Sequence, residues 1–255
     1  MSTNYVEVDY APPLATVFLS RPKVLNAYNE ELLDQFYQKA EDLFNDDSIK
    51  AVIITGRGEK SFTVGADLNL LEELDYESAE VIAKKGKAIC DLIEETNKVV
   101  LAAVNGHALG GGMELTLACD LRIASTRARF GQPEVSLGLI PGFSGTQRLP
   151  RILGIGRAKE LLFTGNIIDA EEAFELGLVN KLVTPRDLLR ETKRMAKRIT
   201  KQSSKAVGMI KKAINYGYSH GCEMGKDFET DSFKECFKDQ EHTERIKKMK
   251  EKLKD

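Results

Sequence analysis

The chain has 255 residues, of which 42% are hydrophobic and 30% charged, so it carries enough apolar content to close a buried core and too much for disorder to be expected. Its formal net charge of -2 excludes the overall basic excess that a dedicated nucleic-acid binder needs. Four cysteines without a C-x-x-C pair, three scattered histidines and no apolar N-terminal run argue against a disulfide framework, a metal centre, and a signal peptide or membrane span. The expectation is a cytoplasmic protein with reduced thiols and no structural metal.

In chain order, the first two-thirds alternates short β-branched runs with amphipathic stretches, the pattern of an α/β architecture. Residues 6–10 and 15–19 flank Pro12 and Pro13, which suit a turn and cannot continue a central ladder, so a hairpin is predicted. Asn29 is placed to cap a helix in which Leu32, Leu33, Phe36, Tyr37, Ala40, Leu43 and Phe44 share one apolar face. Residues 51–55 read as a buried strand, 81–93 as an amphipathic helix, and 99–104 as a second strand too short to be a membrane helix. From Arg186 onward the sequence is almost free of strands and runs as charged amphipathic helices into a Lys/Glu-rich tail, 244–255. No low-complexity linker intervenes, so a core over residues 1–190 and a helical region over 191–255 are expected to pack together.

The segment Asn105-Gly-His-Ala-Leu-Gly-Gly-Gly-Met-Glu114 joins the second strand to an apolar helical stretch through three consecutive glycines. Lacking Cβ atoms, such a turn lets a ligand reach the main chain, where the first helical N–H groups have no internal partners. An oxyanion or phosphate site and a plain tight connection both remain open on this segment alone. The segment Ser61-Phe-Thr-Val-Gly-Ala-Asp67 offers a second small-residue loop after a strand, so N–H groups from two loops could converge on one carbonyl oxygen. Two glutamates follow, twenty residues apart: Glu114 after the glycines, and Glu134 within Phe130-Gly-Gln-Pro-Glu-Val135. Facing carboxylates in apolar surroundings supply one acid and one base near neutral pH. Each taken singly also fits a structural acid, Glu114 against a helix dipole and Glu134 in a surface ion pair.

Two strings, Ala103 to Leu115 and Phe130 to Gly142, resemble the signature segments of the crotonase (enoyl-CoA hydratase/isomerase) family. Arg21-Pro-Lys-Val-Leu-Asn-Ala27, Gly65-Ala-Asp-Leu68, Gly145-Thr-Gln-Arg-Leu149 and Thr164-Gly165 extend the likeness over nearly the whole chain. The resemblance implies an α/β spiral of ββα units with a C-terminal helical trimerisation region, assembled as a homotrimer or as a homohexamer of two trimers. It implies an acyl-CoA thioester as substrate, a role in fatty-acid metabolism, and no cofactor beyond the CoA that the substrate carries. Carried over residue by residue, it implies an oxyanion hole from the N–H groups of Ala66 and Gly111, Glu114 as the base toward water, and Glu134 as the acid toward C2. Gln132 and Gly142 would hold Glu134 and the water, and Lys23, Leu25, Asp67, Leu68 and Asn69 would flank the CoA moiety.

The sequence departs from the family pattern at Val64, Val99 and Ser144, and none of these removes a proposed catalytic atom. Val64 and Ser144 would instead reshape the acyl pocket, with Phe143 and Leu139 as candidates for limiting chain length. The C-terminal tail lacks the family's usual Phe and Arg, so a neighbouring-subunit CoA contact is left unassigned. Acids at both positions favour a hydratase; the alternatives are a double-bond isomerase on the same fold, or a non-catalytic acyl-CoA or RNA-binding module. A serine hydrolase is disfavoured, since Gly142-Phe-Ser-Gly145 is not a G-x-S-x-G elbow, and neither dinucleotide nor P-loop fingerprints occur.

Overall fold

A computed structural model describes residues 3–253, so Met1 and Ser2 and the last two residues of the Lys/Glu-rich tail lie outside the described residues. The chain reverses at Pro12 and Pro13, pairing β1 (Val6–Ala11) antiparallel with β2 (Leu14–Leu19) from Val6 opposite Leu19 to Ala11 opposite Leu14. Helix α1 (Glu30–Asn45) begins at the expected cap, where Asn29 accepts the Leu32 N–H at 3.0 Å. Leu32, Leu33, Phe36, Ala40 and Leu43 are buried, whereas Tyr37 and Phe44 sit at the margin of that face, with Tyr37 open to water.

One plan then repeats. The first unit is β3 (Ala51–Gly56), β4 (Ser61–Thr63), a short α2 (Leu68–Glu73) and a long α3 (Tyr76–Glu95). The second is β5 (Val99–Val104), β6 (His107–Leu109) and α4 (Gly111–Ala118). The third is β7 (Leu121–Ser125), β8 (Arg129–Gly131), a 3-10 turn (Pro133–Leu137) and α5 (Gly145–Leu153). There follow α6 (Ile155–Thr164), β9 (Ile167–Asp169), α7 (Ala170–Glu175) and β10 (Lys181–Val183), and then α8 (Leu188–Ile199), α9 (Ser204–His220), α10 (Cys222–Glu235) and α11 (Glu241–Lys252). In each unit the first strand joins a six-stranded sheet, order β1-β2-β3-β5-β7-β10, and the second joins a four-stranded sheet, order β4-β6-β8-β9. This is the spiral of ββα units that the resemblance implies.

Every residue of β3 and β5 is buried, as a parallel sheet covered on both faces requires. On the inner face Val52, Ile54, Val100 and Ala102 join the large core with α1, α3 and α4. On the outer face Ala51, Ile53, Val99, Leu101 and Ala103 pack with Leu188 and Ala196 of α8. The division expected near residue 190 therefore falls inside α8, a helix that the outer face of the sheet needs as its cover. Helix α9 is tied to the core by Lys211, which is 6% exposed and donates to the carbonyls of Ile93 and Lys98 at 2.7 and 3.0 Å and to Asp120 at 2.9 Å. Removing one partner of a buried ion pair strands the other, so Lys211→Met should lower stability by about 3 kcal/mol in urea unfolding. A loss under about 1 kcal/mol would mean that α9 is held by its apolar contacts instead.

Candidate active site

Strands β4, β6 and β8 are neighbours and run parallel, so the loops leaving their C-terminal ends emerge side by side. Those loops carry residues 64–67, 110–112 and 132–134, segments separated by tens of residues in the chain. The meeting is close: a Cβ on Gly65, whose φ is +84°, would stand 2.7 Å from the Gly111 nitrogen, and one on Gly112 would stand 2.0 Å from the Thr63 carbonyl oxygen. No side chain fits between the two loops.

The local hydrogen bonding leaves two N–H groups over. Tyr28 donates to the Gly65 carbonyl at 2.7 Å and Asp67 donates to the Tyr28 carbonyl at 2.8 Å, a bridge that uses the carbonyl before Ala66 and the N–H after it but not the Ala66 N–H. Gly111 opens α4, so its N–H has no intrahelical acceptor. Ala66 and Gly111 both line a cavity of about 430 Å³, which Glu114, Glu134, Val64 and Phe143 also line.

Glu114 lies in the first turn of α4 and is 1% exposed. Its Oε1 accepts the N–H of Phe143 at 2.8 Å and the N–H of Gly145 at 2.6 Å, the latter at the start of α5. Burial raises its pKa to about 7; the Gly145 N–H opposes that rise, the Glu134 carboxylate adds to it, and the Phe143 N–H and Arg148 oppose it. Glu134 opens the 3-10 turn, half-buried on the cavity side, and burial raises its pKa as well. Gln132, 1% exposed, faces Glu134 with its side-chain amide, and with the nitrogen on that side it donates to Oε1 at 2.9 Å and Oε2 at 3.1 Å. Two carboxyl groups thus face one apolar cavity beside a pair of free main-chain donors.

The chain matches the enoyl-CoA hydratase/isomerase family over residues 11–255. The chain belongs to this family. It is 44% identical over 254 residues to a crotonyl-CoA hydratase of Syntrophomonas wolfei, covering 100% of this chain and 98% of that protein. It is 42% identical to a short-chain-enoyl-CoA hydratase of Clostridium acetobutylicum, covering 100% of this chain and 97% of that one. A crystal structure of an enoyl-CoA hydratase from Bacillus anthracis superposes with a TM-score of 0.94 at 36% identity, covering 98% of this chain and 97% of that one.

The crotonase fold places the remaining candidates at different depths. Gly142 lines the same cavity, next to Phe143. Leu68 also lines the cavity, at its mouth, and is 66% exposed. Asp67 is engaged elsewhere: it pairs with Arg21 at 3.1 Å and caps α2 through the Asn69 N–H. Asn69 donates a side-chain hydrogen bond to Asp67 at 3.1 Å and is exposed. Lys23 and Leu25 lie around a 3-10 turn (Pro22–Val24) away from the cavity wall, Lys23 exposed and Leu25 half-buried at φ 55°. Among the described residues no His, Cys, Asp or Glu cluster is suited to hold a metal ion, and no helix is long and apolar enough to cross a membrane.

Sequence reasoning assigned no role to the Phe143 and Gly145 N–H groups or to Arg148. The first two carry no side-chain signal at all. Arg148 had one: a cation followed directly by Leu149 and Pro150 in a helix, with Asp91 and Glu94 three residues apart on a preceding helix.

A carboxyl whose folded pKa lies above its unfolded value favours folding below the unfolded pKa, and loses that contribution as pH rises through the folded one. For Glu114 that window runs from 4.5 to about 7. Glu114→Gln should therefore match the parent protein near pH 4.5 in denaturant unfolding and exceed it above pH 8, by up to about 3 kcal/mol. Equal stability of the two proteins at pH 8 would contradict a raised Glu114 pKa.

Proposed function

We propose that this protein catalyses reversible syn addition of water to a trans-2-enoyl-CoA, giving a 3-hydroxyacyl-CoA. The observation that carries the reading is the pair of carboxyl groups on one apolar cavity beside two unpaired N–H groups. The names of the relatives, crotonyl-CoA hydratase and short-chain-enoyl-CoA hydratase, point the same way.

In this reading the thioester oxygen lies against the Ala66 and Gly111 N–H groups. Water oxygen bonds to C3 while Glu114 removes one of the water's protons; the C2=C3 π electrons move to C2 and the thioester oxygen, forming an enolate. Glu134 then gives a proton to C2, the carbonyl re-forms, and the proton taken by Glu114 returns to Glu134, so the hydroxyl and hydrogen added equal one water. Each oxyanion donor contributes about 3 kcal/mol because its bond strengthens as charge develops. Burial raises Glu114 to about 7, and the bound acyl chain completes the acid role of Glu134. Covering Glu134 excludes its water and raises its pKa further, while two N–H donors keep Glu114 able to ionise.

A short acyl chain fits the inner wall. The Phe143 ring, 7% exposed, stacks on Tyr28 at 6.1 Å and occupies the space that a Cβ on Gly86 of α3 would need, at 2.1 Å. Lys23 supplies a cation for CoA phosphates, and Leu25, Asp67, Leu68 and Asn69 shape the approach. Assembly as a homotrimer, alone or stacked as a hexamer, is supported by a stripe on α9 in which Ile210, Ile214 and Tyr218 are 60%, 54% and 60% exposed. A cytoplasmic setting accords with the free cysteines. Sedimentation at monomer mass at micromolar concentration would overturn the trimer.

The decisive assay follows loss of enoyl-thioester absorbance with crotonyl-CoA. Glu114→Gln and Glu134→Gln should each lower kcat by about 100-fold or more with little change in KM. Phe143→Ala, with the Phe143 N–H kept, should raise kcat/KM for eight-carbon over four-carbon enoyl-CoA by about 10-fold. Full turnover in either glutamine variant would sink the paired roles; double-bond migration without water uptake would transfer the reading to an isomerase.

A further inference from the structure

Behind the turn that holds Glu114 stands a buried cation. Arg148 of α5 is 5% exposed, yet lines up four donated hydrogen bonds. Its Nε and one terminal nitrogen grip Glu94 of α3 bidentately at 3.0 and 2.7 Å, and the same terminal nitrogen reaches Asp91 at 2.9 Å. Its other terminal nitrogen donates to the Phe143 carbonyl at 2.6 Å. The Phe143 N–H, on the opposite side of that residue, is one of the two donors to Glu114 Oε1. Between Phe143 and Gly145, Ser144 takes φ +74°, a left-handed conformation uncommon in residues with a Cβ, and this turns both flanking N–H groups onto one oxygen.

Resting on the hydratase reading of Glu114, we infer that Arg148, clamped by Asp91 and Glu94, is a positioning residue that fixes the 143–145 turn and so sets where the Glu114 carboxylate stands and how readily it ionises. Within the strained turn the Phe143 ring is the one side-chain anchor, because Gly145 has no side chain and Ser144 makes no capping bond. A guanidinium can grip a carbonyl on one edge and a carboxylate on another in a fixed plane, which an ammonium cannot. The charged or titratable groups facing Glu114 are Glu134 from the 3-10 turn, Arg148 from α5, Cys90 from α3 and Tyr28 from the loop before α1. Arg148 is the cation among them, and its two acid partners, Asp91 and Glu94, stand behind it on α3.

Three variants separate position from charge: Arg148→Lys, Arg148→Met, and the double change Asp91→Asn with Glu94→Gln. The readouts are kcat and KM for crotonyl-CoA, and the Glu114 titration by carbon-13 NMR of glutamate-labelled protein, assigned by difference from Glu114→Gln. Arg148→Lys keeps the charge and loses the fork; kcat should fall about 10- to 100-fold with KM within about threefold. Arg148→Met should also move the Glu114 titration upward by about one unit. The double variant leaves the guanidinium in place but unclamped, so kcat should fall while the titration moves downward, opposite to Arg148→Met. Should Arg148→Met fail to fold, the lysine and double variants decide. Wild-type kcat and an unmoved Glu114 titration in both would overturn the inference. Because the titration needs no turnover, a protein that does not hydrate crotonyl-CoA but shows the two opposite shifts would sink the hydratase reading and leave Arg148 as the residue that sets Glu114.

Discussion

The structure depends on keeping an ionisable carboxyl out of water without leaving it unpaired. Glu114 is 1% exposed, and a carboxylate at that depth needs donors from outside its own helix. Phe143 and Gly145 supply them from the far side of the site, so the turn between the 3-10 segment and α5 must approach α4 to within a hydrogen bond. That requirement explains the chemistry of the turn. A Cβ on Gly145 would lie 2.9 Å from Glu114 Oε1 and 2.7 Å from the end of the Gln132 side-chain amide, so only glycine lets both side chains close in. The start of α5 also presents its partial positive charge to the carboxylate, which favours the ionised form against the pull of burial.

The spiral of ββα units brings these distant segments together. Adjacent parallel strands end on the same side, and β4, β6 and β8 each deliver one component there: the Ala66 N–H, the Gly111 N–H with Glu114, and Glu134 with Gln132. The larger sheet supplies rigidity. Its central strands are buried on both faces, which leaves the loops of the smaller sheet little freedom to separate.

The sequence was most legible where elements are long or where chemistry is carried by side chains. The hairpin, α1 with its Asn29 cap, and the strands β3 and β5 emerge with nearly the predicted bounds, because burial imposes periodicity and branched side chains over six residues. The three-residue strands β4, β6, β8 and β9 are too short to show alternation, so the second sheet, which builds the site, came only through family resemblance. Glu114, Glu134 and the glycine loops stood out by residue type. The N–H groups of Phe143 and Gly145 did not, because every residue except proline has an N–H and only folding selects which ones converge. Residue 190 falls inside α8 for a related reason: the charged pattern of α8 marks its outer face, while Leu188 and Ala196 cover the sheet.

Phe143 illustrates how such a site can change its substrate without losing its chemistry. Its N–H holds Glu114, its carbonyl accepts from Arg148, and its ring closes the inner wall against Gly86 and Tyr28. The first two contacts belong to the backbone, which any residue other than proline provides; the third belongs to the side chain alone. Replacing the Phe143 side chain therefore leaves both backbone contacts that hold Glu114 in place and alters only the size of the cavity. The N–H groups of Ala66 and Gly111 follow the same division, main-chain donors beside a wall of exchangeable apolar side chains such as Val64 and Leu139. A fold that places its reactive hydrogen bonds on the backbone can resize its pocket one side chain at a time, and the cavity wall is where differences in acyl-chain preference are expected to lie.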